Sequence, residues 1–179
     1  MNKKLKKLTC ALKEKGKTLA LAESCSGGYA SYLLTKIPGA SEVFKGAVVV
    51  YSLETKNKFF GIPSSLLKKT QGVSKEVALK LAIRVRKKFN ADIGASVVGF
   101  AGPSTTLRAS TEQSRSADPR TKNGVKVGTT FIAYSSKNRK EAKKIIIKGS
   151  RDIIRKKASS LLIDFIYQKL NTQYSRLNT

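Results

Sequence analysis

A short apolar run that turns through small residues directly into a helical pattern leaves a chain few folds to choose from. Residues 18–34, TLALAESCSGGYASYLL, do this. Thr18 to Ala22 is a short buried strand, and Ser26 to Lys36 is helical, with Tyr29, Tyr32, Leu33 and Ile37 on one side. The first N–H groups of a helix have no partner within it, and its dipole favours negative charge there. Gly27 and Gly28 allow a ligand close to the backbone, and Ser24, Cys25 and Ser26 put three potential nucleophiles at the turn. A second reading of the same residues makes Ser24 or Ser26 only an N-cap and the glycines only a tight turn.

The remainder of the chain repeats this alternation. Lys4 to Lys15, with Leu5, Leu8 and Leu12 in line, predicts an amphipathic helix ended by Gly16. Val43 to Tyr51, VFKGAVVVY, is β-branched and nearly continuous, which predicts a central strand. Ser52 caps a helix to Phe60 with Gly61 at its end, and Pro63 to Lys69 is a helical turn. Ser74 caps a helix to Phe89, in which Val77, Leu81, Val85 and Phe89 recur every four residues. Asp92 to Val98 predicts a strand running into Gly99-Phe100-Ala101-Gly102-Pro103. Val125 to Tyr134 and Ala142 to Lys148 predict a hairpin, and a last helix runs from Arg151 to about Leu170, with Ile154, Leu161, Leu162 and Phe165 as its buried stripe. The sum is a single three-layer α/β/α domain on a five-stranded mixed sheet. Its crevice lies at the carboxyl ends of the parallel strands, where the ESCSGG turn, the segment after Tyr51 and the GFAGP turn converge. Ser104 to Asn123 has eight Ser or Thr among 20 residues and only Leu107 as a large apolar side chain, which predicts a mobile insert. The polar tail, 171–179, is expected to fray.

Composition removes several kinds of chemistry. The chain of 179 residues has no histidine, which excludes Ser-His, Cys-His and His-metal mechanisms. Any general base must be Lys, Tyr, Asp or Glu. The 11 carboxylates show no ligand-like spacing, so no metal and no cofactor is expected. Cys10 and Cys25 give no disulfide framework, and MNKKLKKL lacks a signal peptide's apolar core, which together predict a cytoplasmic protein. No apolar run approaches a membrane span. The net charge of +25 admits a nucleic-acid partner, but the lysines are spread along the whole chain without interleaved aromatics. The favoured reading is a lysine-rich surface whose field attracts a phosphorylated small molecule.

AESCSGG, PGAS, FKGAVVVYSLETK, GVS, GFAGP, VGTT and GSRDIIR follow one another in an order that closely resembles the CinA C-terminal domain family, the nicotinamide mononucleotide amidases, or competence/damage-inducible protein homologues. The resemblance spans roughly Leu5 to Leu170 and looks like the family's stand-alone form. It implies deamidation of nicotinamide mononucleotide to nicotinic acid mononucleotide and ammonia by a serine and a lysine. Carried onto this sequence, the nucleophile falls on Ser24, the general base on Lys56 and a supporting tyrosine on Tyr51. Burial and nearby cations would lower the lysine's pKa. The N–H groups of Ser26, Gly27 and Gly28 are the expected oxyanion donors. Gly99, Gly102 and, for the phosphate, Arg151 are expected to bind substrate, and Ser41 to contact substrate or an adjacent subunit. Self-association is implied as well. The chain departs from the family pattern after GFAGP, at Val98 and at Val125-Lys126, which implies altered substrate binding. Two other classes compete: a non-catalytic member that binds a nucleotide or a protein, and a basic DNA-associated protein. Without the resemblance, Lys58 is as good a base as Lys56.

Overall fold

The computed structural model describes residues 2–102, 121–122 and 125–175. Of the polar segment 104–123, only Thr121–Lys122 falls among them, so the expected mobility of that insert lies outside the described residues. The first helix, α1 (Asn2–Glu14), presents Leu5, Leu8 and Leu12 to the core, and Gly16 at φ 56 turns the chain out of it. Strand β1 (Leu19–Glu23) is buried along its whole length. Helix α2 (Tyr29–Thr35) and a 3-10 turn at Ala40–Glu42 lead to β2 (Phe44–Val49). Three helices follow, α3 (Leu53–Phe60), α4 (Ser64–Thr70) and α5 (Lys75–Lys88), before β3 (Ile93–Gly99). A two-stranded ribbon joins β4 (Thr121–Lys122) to β5 (Val125–Lys126). The hairpin of β6 (Thr129–Ser135) and β7 (Lys140–Ile146) precedes the long α6 (Arg151–Ser175).

The five-stranded sheet has the order β2-β1-β3-β6-β7. Strands β1, β2 and β3 run parallel, and β6 and β7 are antiparallel to their neighbours. The chain steps outward from β1 to β2 and then back across β1 to β3. Right-handed crossovers require the two connections to lie on opposite faces. Accordingly α2 joins α1 and α6 on one face, and α5 covers the other. The pleat of β1 serves both layers. Leu19 and Leu21 enter the core with Leu8, Leu34, Ile154 and Leu162, whereas Ala20 and Ala22 enter the core with Leu67, Val77, Leu81 and Val85. Small residues let α5 approach closely: a Cβ on Gly94 would lie 2.1 Å from the Ala82 carbonyl oxygen.

The three-layer α/β fold agrees with expectation, and three details of the sequence reading are corrected. The Val43–Tyr51 run is not central, because β2 forms a sheet edge and β1 is the middle of the parallel trio. A near-continuous apolar run does not by itself report two strand neighbours, and no residue of β2 is fully buried. Val49 at its end is 47% exposed. The expected strand Val125–Tyr134 breaks at Gly128, where φ is 90 and a Cβ would sit 1.9 Å from the Ile147 carbonyl oxygen. Helix α6 runs on through Asn171 to Ser175, and Asn171 and Thr172, which follow the buried Leu170, are not buried. The Thr172 hydroxyl bonds back to the Gln168 carbonyl in that last turn, so polarity alone does not end the helix. Among the described residues no helix is long and apolar enough to cross a membrane.

Candidate functional site

The carboxyl ends of β1, β2 and β3 open into a cavity of about 850 Å³. Its lining includes Ser24 and Cys25 after β1, Tyr51 and Ser52 after β2, and Gly99 to Gly102 after β3. Leu53 and Lys56 from α3, Gln71 and Val73 before α5, Val127 before β6, and Gly149 to Arg151 at the start of α6 complete it.

The position of Lys56 follows from the start of α3. The Ser52 hydroxyl accepts from the Thr55 amide and fixes the helix N-terminus. Lys56 sits one turn further on, and helical side chains lean toward the N-terminus. Its Nζ therefore returns to the helix start, 3.1 Å from the Tyr51 carbonyl and 3.5 Å from that of Ser52. It also lies 3.0 Å from Ser24 Oγ. Lys56 is only 2% exposed. Its stem is covered by Gly72, where a Cβ would lie 3.5 Å from both Cδ and Cε. Lys58, about 200° further around the helix, is exposed.

Burial lowers the Lys56 pKa from 10.5 to about 8, against a smaller opposing influence of the neighbouring Cys25. Desolvation of the charged form is the cause, and the surrounding lysines expected to contribute do not. A neutral amine has two N–H donors and one lone pair. The protonated amine donates to Ser24 Oγ and to the two carbonyls; on losing its proton it can keep the two carbonyl bonds and turn its lone pair to the serine hydroxyl.

The three candidate nucleophiles differ sharply. Ser24 has the amine. Burial pushes the Cys25 thiol up to about 12, so it stays protonated near neutrality. Ser26 is fully buried beneath the turn, and its Oγ donates to Glu23 Oε2 at 2.6 Å.

The oxyanion donors expected from the glycines are corrected by the same turn. The Gly27 amide donates to the Ser24 carbonyl at 3.1 Å and the Gly28 amide to Glu23 at 3.0 Å. Ser26 does not line the cavity. Helix α2 begins only at Tyr29, with Gly28 at φ 91 as its N-cap and no side chain capping it from that position. Among the described residues no oxygen is paired with the Cys25 amide. That amide follows the nucleophile directly in the chain and, like the Ser26 amide, faces the Cys25 sulfur; Cys25 lines the cavity and Ser26 does not, so the Cys25 amide is the candidate backbone donor.

Tyr51 lines the cavity with its side chain 59% exposed. Its hydroxyl accepts from the Arg151 guanidinium, while its carbonyl holds Lys56. Arg151, Gly99 and Gly102 all meet the cavity, whereas Ser41, exposed in the 3-10 turn, does not line it. Sequence reasoning missed three contributors. Glu23 gathers five hydrogen bonds behind Ser24. Arg155 donates to the Ser26 carbonyl at 3.1 Å. Gln71 lines the cavity in a left-handed backbone conformation, φ 52. A charged residue closing the apolar run LALAE was the available signal for the first. Among the described residues no group of three or more His, Cys, Asp or Glu could hold a metal ion.

Residues 1–112 match the model of the CinA C-terminal domain. The chain is 38% identical over 141 residues to a CinA-like protein of Cytophaga hutchinsonii, covering 79% of this chain and 30% of the relative. It is 34% identical over 158 residues to a CinA-like protein of Geotalea uraniireducens, covering 88% and 34%. The chain thus spans about a third of the length of these curated relatives. Among solved structures, a competence or damage-inducible protein from Enterobacter asburiae superposes with a TM-score of 0.82 at 25% identity, covering 94% of this chain and 97% of that one. A CinA superfamily protein from Klebsiella pneumoniae shares the fold with a TM-score of 0.82 at 21% identity, covering 96% and 98%.

Proposed function

This chain belongs to the CinA C-terminal domain family, and from that premise we propose that it is a Ser-Lys amidohydrolase that deamidates nicotinamide mononucleotide. The observation that carries this reading is the buried Lys56 amine, 3.0 Å from Ser24 Oγ in the cavity at the strand ends. A serine hydroxyl is a weak nucleophile without a base, and an ordinary lysine is protonated at neutral pH. With a pKa of about 8, Lys56 is neutral in an appreciable fraction of molecules near neutrality.

The reaction follows from those positions. Lys56 Nζ takes the Ser24 proton as Oγ attacks the carboxamide carbon. The oxygen of the tetrahedral intermediate takes a hydrogen bond from the Cys25 amide, a contact of a kind worth about 3 kcal/mol. Collapse breaks the C–N bond, and the protonated Lys56 gives its proton to the departing ammonia. A water molecule, deprotonated by the same amine, then attacks the ester on Ser24; the Oγ–acyl bond breaks, Lys56 returns the proton to Oγ, and nicotinic acid mononucleotide is released. Arg151, paired with Tyr51 at the cavity rim, supplies the cation for the nucleotide's phosphate. The whole cycle needs one titrating side chain and no histidine or metal.

The test is conversion of nicotinamide mononucleotide to nicotinic acid mononucleotide by the purified protein, beside Ser24→Ala and Lys56→Ala. Each variant is expected to lose at least about 1,000-fold in kcat while remaining folded, since nucleophile and base act as a unit. Nucleotide binding without turnover by the wild-type protein would replace this reading with that of a non-catalytic binder.

A further inference from the structure

Glu23 ends β1 and immediately precedes Ser24, and no part of it is exposed to solvent. Its two oxygens collect the donors of the turn that follows. Oε2 accepts from Ser26 Oγ at 2.6 Å, from the Gly28 amide at 3.0 Å and from the Ala30 amide at 3.1 Å. Oε1 accepts from the Ser31 amide at 2.8 Å and from the Ser31 hydroxyl. Among the described residues no lysine or arginine forms an ion pair with it. Hydrogen bonds alone compensate its desolvation, a demanding arrangement for an acidic side chain. Capping a seven-residue helix does not require it, because a serine or aspartate at the N-cap satisfies a first-turn amide without burying a carboxylate this deeply.

What the carboxylate does beyond capping is tie the end of β1 to the start of α2 across residues 24–28. Ser24 is the first residue of that bridge. The Ser24 amide donates to the Val97 carbonyl at 3.0 Å, so β3 holds the serine from the other side. Arg155 of α6 holds the Ser26 carbonyl. The carboxylate also occupies the Ser26 hydroxyl, leaving Ser24 as the only serine of the turn offered to the amine.

We propose that Glu23 is a positioning residue for Ser24: its buried carboxylate fixes the turn so that Ser24 Oγ stands at hydrogen-bonding distance from Lys56 Nζ. The proposal rests on the Ser-Lys reading above, and its test separates the two. The probe is phenylmethanesulfonyl fluoride, whose sulfur is attacked by an activated serine oxygen as fluoride leaves. The labelling rate at Ser24 is followed by peptide mass spectrometry. Glu23→Gln keeps the size but sets an amide N–H against converging donors. It is expected to lower the labelling rate and the kcat for amide hydrolysis together by about 100-fold, the cost of roughly 1 Å of misplacement, with KM little changed. Ser31→Ala removes one donor without orphaning another, and keeps the test valid if Glu23→Gln does not fold. It is expected to slow both rates by a few-fold to about 10-fold, a partial version of the same misplacement.

Folded variants that melt earlier but label and turn over like the wild type would overturn the proposal, since Glu23 would then be only a cap. A wild-type protein whose Ser24 does not label overturns it as well. Labelling of Ser24 without turnover of any amide would refute the deamidase reading, and the variants' labelling rates would then decide the positioning role alone.

Discussion

Three hydroxyl or thiol groups crowd the turn after β1, and surroundings rather than intrinsic chemistry separate them. Ser24 meets a buried amine, Ser26 a buried carboxylate, and Cys25 the apolar core. A thiolate is the reactive form of cysteine, and Cys25, with its pKa near 12, holds its proton. Iodoacetamide applied to the native protein at neutral pH is therefore expected to alkylate the exposed Cys10 and leave Cys25 unmodified, as read by peptide mass spectrometry. Modification of Cys25 at a similar rate would show that the turn opens far more than these contacts allow. At this scale the sequence was only partly legible. Ser24, Lys56 and Tyr51 could be named from the motif order, but by spacing alone Lys58 was the equal of Lys56. Burial decides between them, and burial depends on what packs over a helix from elsewhere in the chain. The glycine amides were misjudged for a related reason: the Ser24 carbonyl takes the Gly27 amide, and Glu23, whose side-chain direction no pattern discloses, takes that of Gly28.

Helices α3 and α5 were legible because their signals are local. Ser52 and Ser74 each accept from the third residue of the helix they open, and Gly61 turns the chain out of α3 at φ 54. The turn between α4 and α5 carries a less visible duty. Gly72 has φ 69, and an added Cβ would lie 2.6 Å from Leu53 Cδ2 beside the Lys56 stem. Gly72→Ala is expected to cost about 1–3 kcal/mol through its left-handed backbone and this crowding, measured by urea denaturation. It should also slow catalysis by shifting the lysine. Unchanged stability and rate would mean that Gly72 neither needs its conformation nor supports Lys56. Strand β2 shows the opposite limit of local reading. Its composition suggested a central strand, but sheet position is set by pairings between residues far apart in sequence, such as Ala20 with Gly46 and with Gly94.

At the scale of the whole molecule, the alternation of strand and helix was enough to specify three layers and to locate the crevice at the strand ends. The order of the strands was not legible, and it is this order that brings β1, the start of α3 and the turn before α5 around one amine. Burial, rather than any one neighbouring cation, lowers the Lys56 pKa. The fold does so by removing water. In the proposed reaction a neutral, buried Lys56 activates Ser24, and the decisive measurement is the pH dependence of kcat/KM for deamidation of nicotinamide mononucleotide. The pKa is depressed, so the base-competent neutral form grows as pH rises. The rate should climb about tenfold per pH unit on the acid side and level off above a midpoint near 8. A rate that is flat from about pH 6 to about pH 9 would contradict the claim, because no lysine with that pKa would then be supplying the base.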